Sequence, residues 1–201
     1  MRRMFLILIG VATSVLIGVP ARAGEVPPCN EQPCDFLTGG GFIVRDSGAQ
    51  ANFGVGGGCK HGSPTWGHLE YIDHGTGLNV HWETITAYLF VDQGEPSHGQ
   101  PTGARYICGT ARTNQFGNVD WAVFARDRGE PGDDDEFTIR LRDSSGVIVY
   151  TTESDSDHTL GGSGSGGGNI QLHKPNPSTT GGFGGSCPAL TGGPPPPPPP
   201  D

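Results

Sequence analysis

Six carboxylates fall within ten positions, Asp127 to Glu136, around a Gly129-Glu130-Pro131-Gly132 turn. Acids at this density can surround a hard cation, and calcium takes six to eight oxygen ligands. They can also accept turn N–H groups while neighbouring arginines offset their charge. In the first reading Asp127, Asp133 and Asp135 are the calcium ligands, with turn carbonyls adding to the shell. An EF-hand is excluded, because Asp-x-Asp-x-Asp-Gly followed by a distal Glu is absent. In the second reading Asp127 or Asp135 accepts turn amides and Arg126 or Arg128 balances the charge. The sequence favours the second.

Other chemistry is fainter. Under strict alternation His68, Glu70 and His74 share a face, with His81 in the following strand, the arrangement a His/Glu metal site would need. The same positions equally make a solvated polar face opposite Leu69 and Tyr71, which is the expectation. Glu70 and Glu83 are the pair a glycosidase would require. No Gly-x-Ser-x-Gly elbow is present, and Ser163 and Ser165 lie in Gly repeats that cannot fix a nucleophile. Trp66, Trp82, Trp121 and Tyr71 are candidates for a sugar-stacking platform, although aromatics of this size in a small β-domain usually build the core.

The elements that must position these residues have a hydrophobic period of two. Strands are expected at 36–45, 51–58, 66–74, 78–91, 105–113, 119–126, 137–142, 147–152 and 169–173, separated by Gly, Asn, Asp and Ser turns. In the longest run Val80 and Trp82 have one parity while Ile85, Leu89 and Val91 have the other. A β-bulge near Glu83-Thr84 would return both sets to the core, and this strand should be central. About nine short strands, each apolar on one face, predict an all-β antiparallel β-sandwich or flattened barrel.

A basic start, Met1-Arg-Arg-Met4, an apolar run from Phe5 to Val19 and Ala21-Arg-Ala23 predict a signal peptide at 1–23, cleaved after Ala23. A polar lead-in at 24–34, the β domain at 35–173 and a Gly/Pro-rich disordered tail at 174–201 follow. Pro194 to Pro200 should form a polyproline II spacer. Cleavage removes three of the 12 basic residues and none of the 21 acids, leaving a mature net charge of −12. That charge repels nucleic acid and anionic membranes, so neither is an expected partner, and no membrane insertion is expected after cleavage. Cysteines at 29, 34, 59, 108 and 187 in an exported chain predict disulfides. Cys59–Cys108 and Cys34–Cys187 are the expected pairs, with Cys29 left over or competing for Cys187.

Thr38-Gly-Gly-Gly-Phe-Ile43, Ala51-Asn-Phe-Gly54, Gly67-His-Leu-Glu-Tyr-Ile-Asp-His74, the Gly-Glu-Pro-Gly-Asp turn with Glu136-Phe-Thr-Ile-Arg-Leu141, and Gly168-Asn-Ile-Gln-Leu-His173 occur in this order. Together they resemble the exported bacterial module called the post-choice-of-anchor-P domain, over about residues 35–173. The resemblance implies an extracellular accessory module of bacterial surface or secreted proteins and carries over no established enzymatic activity. The expected function is that of a secreted, non-catalytic structural or interaction module whose partner is an extracellular protein or carbohydrate. A carbohydrate- or calcium-binding module is the alternative, and an extracellular hydrolase the second.

Overall fold

The computed structural model describes residues 33–191 except 63, 64 and 165. The signal peptide, Cys29 and the proline run lie outside the described residues. The strands are β1 Phe36–Val44, β2 Gln50–Gly58, β3 Trp66–Asp73, β4 Leu78–Gln93, β5 Gly103–Thr113, β6 Gly117–Asp127, β7 Glu136–Arg142, β8 Ile148–Thr151, β9 Gly168–His173 and β10 Gly184–Gly185. All nine expected strands are present, within a few residues at their ends. They form one antiparallel sheet in the order β8-β7-β6-β5-β4-β3-β2-β1-β9, with β10 added to β4. β4 is the middle strand of that path, as expected.

The sheet curls into a flattened half-barrel because its apolar face has no second sheet to cover it and must fold upon itself. Phe53 of β2 stacks on Phe137 of β7 with ring centroids 3.9 Å apart, although four strands separate them along the sheet. Leu69, Tyr71, Val80, Ile107, Trp121, Val123 and Ile139 fill the interior between them. The curl is tight enough that a Cβ on Gly57 would lie 2.8 Å from the Ile107 side chain. Register slips in the β4–β5 ladder at Trp82/Thr84, Ile85/Ala87 and Phe90/Asp92. The first slip is the expected bulge at Glu83. All three bend the longest strand around the core.

Residues 158–161 close the open side. Phe137 N donates to His158 O at 3.0 Å, Leu160 N to Asp135 O at 2.9 Å and Gly161 N to Phe42 O at 2.9 Å, so this segment joins β7 to β1.

Two expectations are corrected. The disulfides are Cys34–Cys59 and Cys108–Cys187, with Cα separations of 5.8 and 5.4 Å. The four expected cysteines are bonded, but in a different one of the three possible pairings. Alternation is the reason: Ile107 points inward, so Cys108 points out of the opposite face, beside Ala87, Ala122 and Ala189. Cys59 belongs to the interior cluster next to Cys34, and a Cys59–Cys108 bond would have to cross the sheet.

Residues 174–191, assigned above to a disordered tail, carry β10, Cys187 and a 3-10 turn at Pro188–Leu190. They form a strap that passes from the interior cluster, against which Phe183 packs, to the outer face, where Cys187 and Leu190 lie. Phe183 stacks on Tyr88 at 5.5 Å, and Ala189 is buried. Gly185 is required in the strap, because a Cβ there would stand 2.2 Å from the Thr86 carbonyl oxygen.

Candidate functional site

The acidic hairpin turns inward. Asp127 ends β6 and Asp135 immediately precedes β7, each one alternation step beyond a core-facing residue, Ala125 and Phe137 respectively. Asp127 accepts the Gly129 amide on Oδ1 and the Leu172 amide on Oδ2, both at 2.7 Å. Asp135 accepts Arg128 N at 2.8 Å on Oδ1 and Ile170 N at 2.7 Å on Oδ2. One oxygen of each acid therefore fixes its own hairpin, and the other caps the outer edge of β9. An edge strand with free N–H groups is a template for unwanted pairing, and here two carboxylates occupy those groups.

Burial pushes the Asp135 carboxyl up to about 7 despite its two amide donors, and the charges of Asp127 and Glu130 add to the rise. Burial raises Asp127 too, against the Leu172 and Gly129 amides. Asp133 points elsewhere and accepts Gly166 N at 3.1 Å. Arg128 pairs with Glu136, as does Arg126 at 3.5 Å. Of the three expected calcium ligands, Asp127 and Asp135 thus reach β9 while Asp133 reaches Gly166. Among the described residues no group of three His, Cys, Asp or Glu side chains is placed to hold a metal ion.

A second network, which sequence reasoning missed, lies where β1, β3 and β8 end. The Arg45 guanidinium donates to Asp73 at 2.9 Å, to Thr151 O at 3.3 Å, and to Asp155 and the Tyr150 hydroxyl. Tyr150 donates its only proton to Asp73 at 2.8 Å, so in the 2.6 Å contact between the tyrosine hydroxyls Tyr71 is the donor. Burial pushes Tyr71 up to about 12 and Tyr150 higher still, with the Tyr71 contact adding to the latter. Burial works against ionised Asp73, but the Tyr150 hydroxyl and the Gly75 and Thr76 amides outweigh it and hold the carboxyl below its usual value. A cleft of about 470 Å³ opens above, lined by Arg45, Ser47, Asp73, Thr76 and Asp155. All the Arg45 nitrogens facing it are engaged within the fold.

A third network is buried at the start of β1. Asp35 receives Arg105 Nε at 3.2 Å and the Tyr88 hydroxyl at 2.7 Å, and the Arg105 guanidinium also donates to the Asp92 carbonyl at 2.6 Å. Arg105 is wholly buried and Asp35 is 4% exposed.

The remaining candidates are dispersed. His68, Glu70 and His81 are exposed on the outer face, where Glu70 pairs with His81, and His74 meets Asn52 at 2.7 Å. Glu83 sits at the bulge beside Thr110 and Asp120 in a shallow outer groove. Trp121 and Tyr71 are fully buried, leaving Trp66 and Trp82 partly exposed, so the four aromatics expected as a platform do not share a surface.

No family model, no curated protein and no solved structure matches this chain. Its two disulfides fit an oxidising extracellular compartment, and among the described residues no helix is long and apolar enough to cross a membrane.

Proposed function

We propose that this chain works outside the cell as a non-catalytic structural or interaction module, exported by a signal peptide cleaved after Ala23. The observation that carries this reading is the engagement of its buried ionisable groups. Asp127 and Asp135 hold β9, Arg45 and Asp73 join β1, β3 and β8, and Arg105 and Asp35 fasten β1 to β5. A catalytic acid or base must reach a substrate proton, whereas these groups already face partners within the sheet. The resemblance to the post-choice-of-anchor-P domain supports the same reading. An extracellular protein or a glycan is the partner class in keeping with the chain's acidic net charge.

The test is turnover by the exported, oxidised protein on chromogenic glycosides, esters and peptides. No activity above that of the heat-denatured protein is expected. Turnover that disappears in Asp73→Asn or Glu70→Gln, with folding intact, would replace this reading by a hydrolase.

A further inference from the structure

We propose that the module is a link that carries mechanical load, with its two disulfides routing tension into the centre of the sheet. The inference rests on the structural-module reading above and adds what such a module withstands. On the N-terminal side of the domain Cys34 lies two residues before β1 and is bonded to Cys59 just beyond β2. Its last strap element begins after Cys187, which is bonded to Cys108 in the middle of β5. Tension arriving from the N-terminal side therefore crosses to Cys59, and tension from the C-terminal side crosses to Cys108. β1 and β2 lie inside the first covalent loop, and β6 to β10 inside the second. Between the two crosslinks only residues 60–107 remain on the stressed path.

The placement of Cys108 decides what must break. β9, which precedes the strap, is an edge strand held by β1 and by the two carboxylates of the acidic hairpin. Without the crosslink a pull from the C-terminal side would peel this strand one hydrogen bond at a time. With it, the pull is delivered to β5, which is paired with β4 on one side and β6 on the other along its length. Many ladder bonds must then fail together. The strap is also anchored beside its crosslink, since Ser186 N donates to Thr86 O at 3.1 Å and Phe183 meets both Tyr88 and Phe90.

The experiment is to stretch single molecules of the mature oxidised protein between handles at its two ends. The 49 peptide links from Cys59 to Cys108 give a contour of at most about 170 Å, whereas the 153 links from Cys34 to Cys187 would give about 530 Å once both bonds are reduced by a dithiol. Unfolding of the oxidised protein should stop at the shorter length. It should also need a higher force than Cys108→Ser/Cys187→Ser. If that variant does not fold, wild-type protein reduced after folding serves as the comparison. Release of the longer contour by the oxidised protein, or equal unfolding forces with and without the Cys108–Cys187 bond, overturns the proposal. Either failure leaves the turnover test untouched, so the two readings fall separately.

Discussion

The Asp135 carboxylate receives the Ile170 amide at 2.7 Å, joining residues 35 positions apart in the chain and at opposite ends of the sheet path. Asp127 and Leu172 repeat the relationship two residues further along β9, also at 2.7 Å. A sheet that curls but does not complete its ladder leaves an edge whose N–H groups need acceptors. In this protein side chains supply them, and the hairpin that supplies them is the densest cluster of acids in the sequence.

Replacing Asp135 with Ala should therefore strand two amides, those of Ile170 and Arg128, in a dry setting. Each unsatisfied buried donor costs about 1 to 3 kcal/mol. A total loss of about 2 to 5 kcal/mol is expected in urea denaturation, while Asp134→Asn, at an exposed position of the same turn, should stay within about 0.5 kcal/mol of wild type.

Stability should also depend on pH through the same pair. Asp135, with its folded value raised to about 7, and Asp127, also raised, contribute stability that is complete below the ordinary carboxylate value. That contribution is lost as pH rises through the folded value, so it declines between about pH 4 and 7. His173 works the other way. Burial and Lys60 hold its imidazole below the usual value, so its contribution is present above about pH 6.5 and fades as pH falls. Subtracting the melting profile of Asp135→Asn from that of wild type isolates the acid. The difference should shrink from pH 4 to 7, and a flat difference would contradict the assignment.

Much of this architecture is legible in the sequence, since alternation yields the nine strands, the bulge at Glu83 and the central place of β4. The clasp that Asp127 and Asp135 place on β9 is partly legible. Local spacing has Asp127 or Asp135 accept turn amides, and both do, but their second oxygens reach β9, a contact between distant segments that no local pattern encodes. A signal for the missed networks does exist. Arg45, Asp73 and Arg105 each share parity with a buried neighbour two residues away, Ile43, Tyr71 and Ile107. Charges in core-facing register at strand ends are partners waiting for one another, though parity does not say which. Disulfide pairing misleads for a related reason: strand position brings Cys59 and Cys108 together, while the face each presents keeps them apart.

Peptide mapping of the oxidised protein should recover Cys34–Cys59 and Cys108–Cys187. Loop-closure entropy assigns about 3.5 kcal/mol to the shorter loop and about 4.5 kcal/mol to the longer. Cys108→Ser/Cys187→Ser should accordingly lose more stability than Cys34→Ser/Cys59→Ser. The reverse order in denaturant midpoints at equal slope would show that the strap contributes less than its crosslink implies.

Within β4 the bulge separates two residues of similar hydrophobicity by environment. Ile85 is 7% exposed inside the barrel, and its truncation to Ala should cost about 2 to 5 kcal/mol. Trp82 packs against the same cluster but is partly exposed. Its replacement by Ala should cost less than the roughly 3 to 5 kcal/mol of a fully buried aromatic. Equal losses near the upper figure would place Trp82 in the interior and contradict the observed bulge geometry.

Calcium would have to enter the same acidic hairpin. Asp127, Asp133 and Asp135 are the ligands that spacing suggests, and a cation binding the native state alone would raise the melting temperature with its concentration. The oxygens of Asp127 and Asp135 instead take four backbone amides, and Asp133 turns toward Gly166. A calcium ion at Asp135 would have to compete for oxygens that secure β9 and would give back the stability their amide contacts provide. Melting temperatures in millimolar calcium and in excess chelator are therefore expected to coincide, for wild type and for Asp133→Asn alike. A rise with calcium that Asp133→Asn abolishes would show that the hairpin rearranges to bind the ion, and that the amide-bonded clasp is only one of two states of this turn.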